Sequence, residues 1–189
     1  ATLMAGEGRG SYFIPEVNDE VLVAFEHGQL DRPHIIGALW NKQDAPPVAM
    51  DAKGDNHIRA IHTRSGHKVT FDDSDDAPSI KIEDSTGNNY FLIDTAQNAI
   101  TIQVEGDLTI DAGGEISISA GGKIAISTQA DFSLEAQGNG AIISSGPLEV
   151  SSDQKLTLDG SLSTEVKAKA VKVEGSGMAE LKGGLVKIN

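Results

Sequence analysis

The stretch GDLTIDAGGEISISAGGKIAIS, residues 106–127, contains one short unit three times. Leu108 and Ile110 form an apolar pair, and isoleucine pairs follow at positions 116/118 and 124/126, each eight residues after the last. Residues two apart on a β-strand lie on the same face. Each unit of eight, which we call an octad, therefore predicts one short strand with an apolar face.

The octads can be followed from Ile100 to the end of the chain. Twelve consecutive units keep the spacing to within one residue, and the register slips by one before Val171 and again before Val186. Two weak octads have Gly140 and Thr164 where an apolar residue is expected. Breaks such as Gly-Gly between the strands allow a corner. A fixed short period predicts a solenoid, in which no unit buries its own apolar face.

Two arrangements would bury the apolar faces of the octads. One chain can coil on itself with three octads per turn, which gives about four turns and a height of about 20 Å. Alternatively, three chains wind together and each octad climbs by one strand spacing, which gives a height of about 55–60 Å. Periodicity alone leaves both arrangements open, although the narrow stripe of two residues per strand favours a thin prism.

The composition of the chain changes near residue 92. All five histidines and all four arginines lie before this point, and Phe132 is the only aromatic residue after Phe91. The 189-residue chain has a net charge of −13, which disfavours nucleic acid as a partner. It has no cysteine and therefore no disulfide framework. No apolar run approaches the ~18 residues of a membrane span.

The first half of the chain is rich in predicted β-structure. The segment EVNDEVLVAFEHGQLDRPHIIGALWN, residues 16–41, predicts a hairpin with a longer loop. Such a hairpin is too small to be stable alone, so we expect further strands before Ala1, or another chain, to complete its sheet. Residues 41–56 form a predicted linker with two prolines, and four further strands are predicted around residues 58–61, 69–71, 80–82 and 91–93.

Several of these segments resemble the spike proteins of phage tails and the VgrG family. They are GRGSYFIPEVNDEVLVAFEHGQLDRPHIIGALWN (8–41), RSGHKVTFDD (64–73), KIEDSTGNNYFLID (81–94) and the octads that end in LVKIN (185–189). The resemblance covers nearly the whole chain and is greatest to the spikes of extracellular contractile injection systems. It implies an all-β fold in which a partial OB-fold barrel precedes an intertwined trimeric triangular β-helix, or β-prism needle. The implied regions are the C-terminal part of an OB-fold domain (1–41), a linker (42–57), a β-rich neck (58–94) and the octad needle (95–189).

The resemblance also implies an assembly. The chain would be a homotrimeric, membrane-puncturing central spike in a phage-tail-like particle that is assembled in the cytoplasm and acts outside the cell or at the target envelope. Hub, tube and baseplate proteins would bind the N-terminal end. A tip protein of the PAAR type would dock on Val186, Ile188 and Asn189. The residues assigned to the trimer core are Ile100, Ile102, Leu108, Ile110, Ile116, Ile118, Ile124, Ile126, Phe132, Leu134, Leu148, Val150, Leu156, Leu158, Val171 and Val173.

Three groups of residues resemble ligand sites without matching one. His57, His62 and His67 are five residues apart, a spacing that fits no common metal-binding pattern. The acidic run at residues 72–76 lacks the Gly and Glu of a calcium-binding loop, and GEGRGS, residues 6–11, lacks the Lys of a phosphate loop. We interpret all three as strand and turn residues, with a ring of histidines on a trimer axis as the alternative for the first group.

Two other functions were weighed against the spike. A monomeric β-solenoid could serve as an adhesin or scaffold, and a β-helix could cleave polysaccharides. The enzyme would need clustered carboxylates beside Arg or Lys, but no Arg follows Arg64 and the acidic residues are spread along the octads. We therefore expect no enzymatic activity, no catalytic or metal site, no cofactor and no nucleic-acid partner.

Overall fold

The computed structural model describes residues 2–49 and 53–188. The chain divides into two units, Ala1–Ser119 and Ala120–Asn189. Every β-strand assigned in the described residues lies in the first unit. Within those same ranges, the only helical element is a short 3-10 turn at Glu26–Gly28. The all-β class predicted from the sequence is confirmed.

Two small hairpins occupy the N-terminal part. Strands β1 (Ala5–Gly6) and β2 (Arg9–Gly10) pair antiparallel, so the glycine-rich GEGRG segment is a tight hairpin rather than a phosphate loop. Strands β3 (Val21–Phe25) and β4 (Pro33–Ala38) form the longer hairpin, with a bulge between Leu22 and Val23. This hairpin was predicted from the alternation of its apolar residues and is confirmed.

A five-stranded antiparallel meander follows, in sequence order. Its strands are β5 (Ile58–His62), β6 (Lys68–Asp72), β7 (Ser79–Glu83), β8 (Tyr90–Asp94) and β9 (Ala99–Gln103). Tight turns connect the strands, and Gly66 and Gly87 occupy left-handed conformations there, with φ of 95° and 75°. The first four strands match the predicted ones.

The fifth strand of the meander contains the first octad pair. Ile100 and Ile102 lie on β9, which pairs with β8 along its whole length. The sheet therefore extends through the first octad. Beyond it, the described residues 104–188 are segments without assigned helix or strand, separated by bends, and no strand pairing joins them within this chain.

Candidate functional site

Bends divide the octad region in phase with its apolar pairs. They fall at residues 105–106, 113–114 and 121–122, and they continue every eight residues as far as 161–162. In each case the bend ends two residues before the first member of the apolar pair. The bends at residues 169, 176–177 and 184 keep this offset from Val171, Ala179 and Val186, so the bends follow the sequence through both register slips. Each octad therefore consists of one bend followed by one segment that carries the apolar pair.

The apolar pairs are not covered by their own chain. Within the first unit, Ile116 is 53% exposed and Ile118 is 75% exposed. All sixteen residues assigned to the trimer core are at least half exposed, and no side chain in the described residues is fully buried. A soluble monomer seldom exposes a continuous apolar stripe of this length. The stripe is thus a candidate assembly surface.

The backbone of the octads also lacks partners within the chain. Across residues 104–188, as described, no backbone hydrogen bond joins one octad to another. A single chain coiled on itself would need such bonds between octads three units apart. Extended segments with free N–H and C=O groups are ready to pair with strands of another chain. Within residues 104–188, as described, both the apolar side chains and the backbone of the octads are therefore left without partners from other octads.

The assembly surface begins on the five-stranded sheet. The register places Ile61, Val69, Ile82, Phe91 and Ile102 in one row across the five strands. The adjacent row consists of Arg59, Phe71, Ile80, Ile93 and Ile100. Nine of these ten residues are apolar, and they share one face of the sheet. Since Ile100 and Ile102 also form the first octad pair, the apolar face and the octad stripe share these residues.

The opposite face of the sheet is polar and internally paired. Lys68 Nζ lies 2.9 Å from one carboxylate oxygen of Glu83, and Lys81 Nζ contacts the other. The Lys81 ammonium also lies 4.8 Å from the ring centre of Tyr90. Hydrogen bonds from Lys81 and Lys68 hold the pKa of Glu83, whose side chain is only 12% exposed, below its ordinary value. Its charge is satisfied by neighbours on the sheet, which is the pattern of a structural network.

A turn centred on Asp84 connects the sheet to the octads. The Asp84 carboxylate accepts hydrogen bonds from the side-chain amide of Asn89 at 2.8 Å and from the backbone N–H of Gly87 at 2.9 Å. Together with the hydroxyl of Thr86, these bonds lower the pKa of Asp84 to about 2. The Asn89 side-chain oxygen in turn accepts the backbone N–H of Glu105 at 2.8 Å. The turn thus holds the first bend of the octad region.

The sequence indicated a turn here through the run TGNN, residues 86–89, but periodicity missed the hydrogen bonds that Asp84 makes within it. The available signal was the run DSTGNN, residues 84–89, because an Asp two residues before a Thr and three before a Gly is typical of a side-chain-stabilised turn. A second connection was also missed. His67 Nδ1 accepts the backbone N–H of Ser85 at 3.1 Å, which ties the β5–β6 turn to the β7–β8 turn.

The other candidate ligand residues take part in local structure. His57 Nε2 lies 3.8 Å from a carboxylate oxygen of Asp55, and His62 lies on β5. Asp72 accepts the backbone N–H of Ser74, which lowers the Asp72 pKa, and Asp73 pairs with Arg59. In the described part of the chain no three His, Asp or Glu side chains converge as metal ligands would.

The predicted tip-docking residues lie at the end of the octads. Val186 is half exposed and Ile188 is 87% exposed, while Asn189 lies outside the described residues. Residues 2–49 and 53–188 contain no helix with the length and apolar character needed to span a bilayer.

Comparison with known proteins identifies relatives of part of the chain. Residues 1–40 match the family described as the type VI secretion system/phage-baseplate injector OB domain. The chain is 30% identical over 104 residues to the type VI secretion system spike protein VgrG1b of Pseudomonas aeruginosa PAO1, which covers 54% of this chain and 13% of that protein. VgrG1c from the same strain is also 30% identical over 104 residues, again with 13% of its length covered. VgrG1a is 29% identical over 104 residues, with 15% of its length covered. The chain therefore spans only a small part of these relatives.

Proposed function

We propose that this chain belongs to the VgrG and phage-baseplate spike family, to whose members it is similar, and that it is a structural part of the central spike of a contractile injection machine. Its work is mechanical: it forms a stiff needle that is driven through the target envelope when the machine contracts. The particle is assembled in the cytoplasm and acts outside the cell or at the target envelope.

One observation carries this proposal. A bend precedes every apolar pair from residue 108 onward, and in the described residues 104–188 the apolar pairs are exposed and no backbone hydrogen bond joins one octad to another. A monomer with this surface would leave its apolar stripe in water, at a cost of roughly 25 cal/mol per Å². Association of identical chains removes the stripe from water and pairs the backbone in the same step.

Three chains fit the octad better than two or one. Each extended segment is short and carries two apolar residues, which suits one side of a narrow triangular prism. If every corner turns the chain onto the next side while it climbs one strand spacing, three chains fill the three sides of each layer. Each segment then pairs with segments of neighbouring chains in the layers above and below. The resemblance to phage-tail and VgrG spikes implies the same arrangement.

We assign the regions and ends of this assembly as follows. Residues 1–41 are part of an OB-fold domain that binds the hub and baseplate, residues 42–57 are a linker, and residues 58–94 are the neck. The needle occupies residues 95–189, with its first octad pair incorporated in the neck sheet. Val186, Ile188 and Asn189 dock a tip protein of the PAAR type.

A structural role rather than an enzymatic one is supported by the perturbed carboxyl groups. Asp72, Glu83 and Asp84 all have a lowered pKa. In each case the cause is a hydrogen bond or ion pair within a turn or along the sheet, and none of these carboxylates faces a second one as an acid–base pair would. We propose that the chain requires no cofactor for its function.

The mass of the native chain tests this proposal. Light scattering or native mass spectrometry should give three times the chain mass, and the trimer should persist in SDS at room temperature because interlocked chains unfold slowly. The variant Ile118→Asp places a charge in the apolar stripe of the octads. It should be monomeric or aggregated. A stable wild-type monomer would refute the trimer and favour a single-chain solenoid that acts as an adhesin or scaffold.

A further inference from the structure

Two octads differ from the rest in the size of their first apolar-pair residue: in one it is unusually large, and in the next it is unusually small. Phe132 is the only aromatic residue at any position of an apolar pair, and Gly140 is the only glycine. They are the first members of consecutive octads, eight residues apart. The largest and the smallest side chains of the stripe are therefore neighbours in the repeat.

The chain itself gives no reason for a glycine at position 140. The backbone of Gly140 is not in the left-handed region that favours glycine. A Cβ placed there would meet nothing closer than the Cβ of Ala136, at 4.0 Å. A Cβ would thus fit within the single chain, and the fold of one chain does not by itself require glycine at position 140.

The side chain of Phe132 is also left largely uncovered by its own chain. It is 64% exposed, and like the other first members it follows a bend by two residues. The ring of Phe132 is larger than the aliphatic side chain that stands first in most other octads, and extra volume in a packed core costs about 1–3 kcal/mol.

The three-chain arrangement brings these two positions together. When each chain moves to the next side of the prism at every corner, the segment above a given octad on the same side is the following octad of a neighbouring chain. Neighbouring strands lie only about 4.8 Å apart. The side chain of Phe132 in one chain therefore lies beside position 140 of its neighbour.

On the basis of the proposed trimer, we propose that Phe132 of each chain packs into the space left by Gly140 of the neighbouring chain, and that this contact fixes the stagger of the three chains. Most other octads are nearly interchangeable, so a slip by one octad would change few of their contacts. In the layers that contain Phe132 and Gly140, a slip of one chain would bring Phe132 against a large aliphatic residue and leave the space at Gly140 empty. Overpacking and cavities are both destabilising.

A double-mutant cycle on the 189-residue chain tests this contact. The variants are Phe132→Leu, Gly140→Leu and the combination of both, which restores the ordinary octad pattern. We expect Phe132→Leu to leave a cavity and Gly140→Leu to crowd the ring, so that each accelerates trimer unfolding in hot SDS by about tenfold or more. The double variant should unfold more slowly than either single variant.

Thr164→Leu is the matched control, because it fills the other weak octad, whose preceding octad begins with Leu156 rather than an aromatic residue. It should leave the unfolding rate unchanged or lower it. If the wild type is a trimer but the two single effects simply add, or if Gly140→Leu behaves like Thr164→Leu, the contact does not exist and the trimer stands without it. A monomeric wild type would overturn both.

Discussion

Replacement of Ile118 by alanine tests whether the octad stripe is buried by assembly. Ile118 is 75% exposed in the single chain. Complete burial of an isoleucine side chain is worth about 1.5–3 kcal/mol, so assembly can gain about 1–2 kcal/mol from this residue in each chain. Truncation of a buried isoleucine to alanine, including the cavity that it leaves, costs about 2–5 kcal/mol. Over three chains, Ile118→Ala should cost on the order of 6–15 kcal/mol per trimer.

The assay is the rate of trimer loss in SDS at a series of temperatures, at one fixed chain concentration because assembly depends on it. Ser117→Ala is the control, since Ser117 is the exposed residue between the two members of the same pair. Ile116→Ala should have an intermediate effect, because Ile116 is 53% exposed and already covers more of its surface within its own chain. If Ile118→Ala and Ser117→Ala lose the trimer at the same rate, the reasoning that places Ile118 in the core is refuted.

Three other predictions concern the neck and the tip. Because the pKa of Asp84 is lowered from 3.8 to about 2, the stability that it contributes should be complete above about pH 4 and be lost as the pH falls towards 2. Acid titration followed by circular dichroism should show this loss in the wild type and a smaller one in Asp84→Asn; identical curves would contradict the role of the turn. The pKa of Glu83 is also lowered from 4.5, so its contribution should likewise be present above that pH and lost below it. Glu83→Gln should therefore lower the urea midpoint more at pH 7 than at pH 3, whereas equal losses at both pH values would exclude the ion pairs with Lys81 and Lys68 as the cause. At the other end, Val186→Asp and Ile188→Asp should abolish co-purification of a PAAR-type tip protein while the trimer mass is retained. The outward residue Lys187 provides the control as Lys187→Ala, and tip binding that survives both aspartates would disprove docking at this site.

The strands of the first half could be predicted from sequence because alternation of apolar residues determines which side of a strand is covered. The β3–β4 hairpin and strands β5 to β8 were found in this way. Strand β9 was assigned to the needle, since Ile100 and Ile102 have the same spacing as every later octad pair. Periodicity identifies a repeating unit, but it does not identify which neighbour pairs with its first member.

The junction between sheet and octads could not be predicted by the same reasoning. Asp84, Asn89 and Glu105 are held together by specific hydrogen bonds between a turn and a bend that is sixteen residues further on than Asn89. No periodic signal marks such contacts. The partners of the octads were also outside the reach of pattern analysis, because one chain and three chains produce the same spacing of apolar residues.

The constant offset between each bend and its apolar pair makes the octad a self-contained module. A duplication or deletion of eight residues would carry its own corner and its own share of the interior, and it would leave the sequences at both ends untouched. In the three-chain arrangement, each such event would change the length of the shaft by about 4.8 Å. Evolution, or a protein engineer, could therefore adjust the reach of this structure in equal steps without redesigning its base or its point.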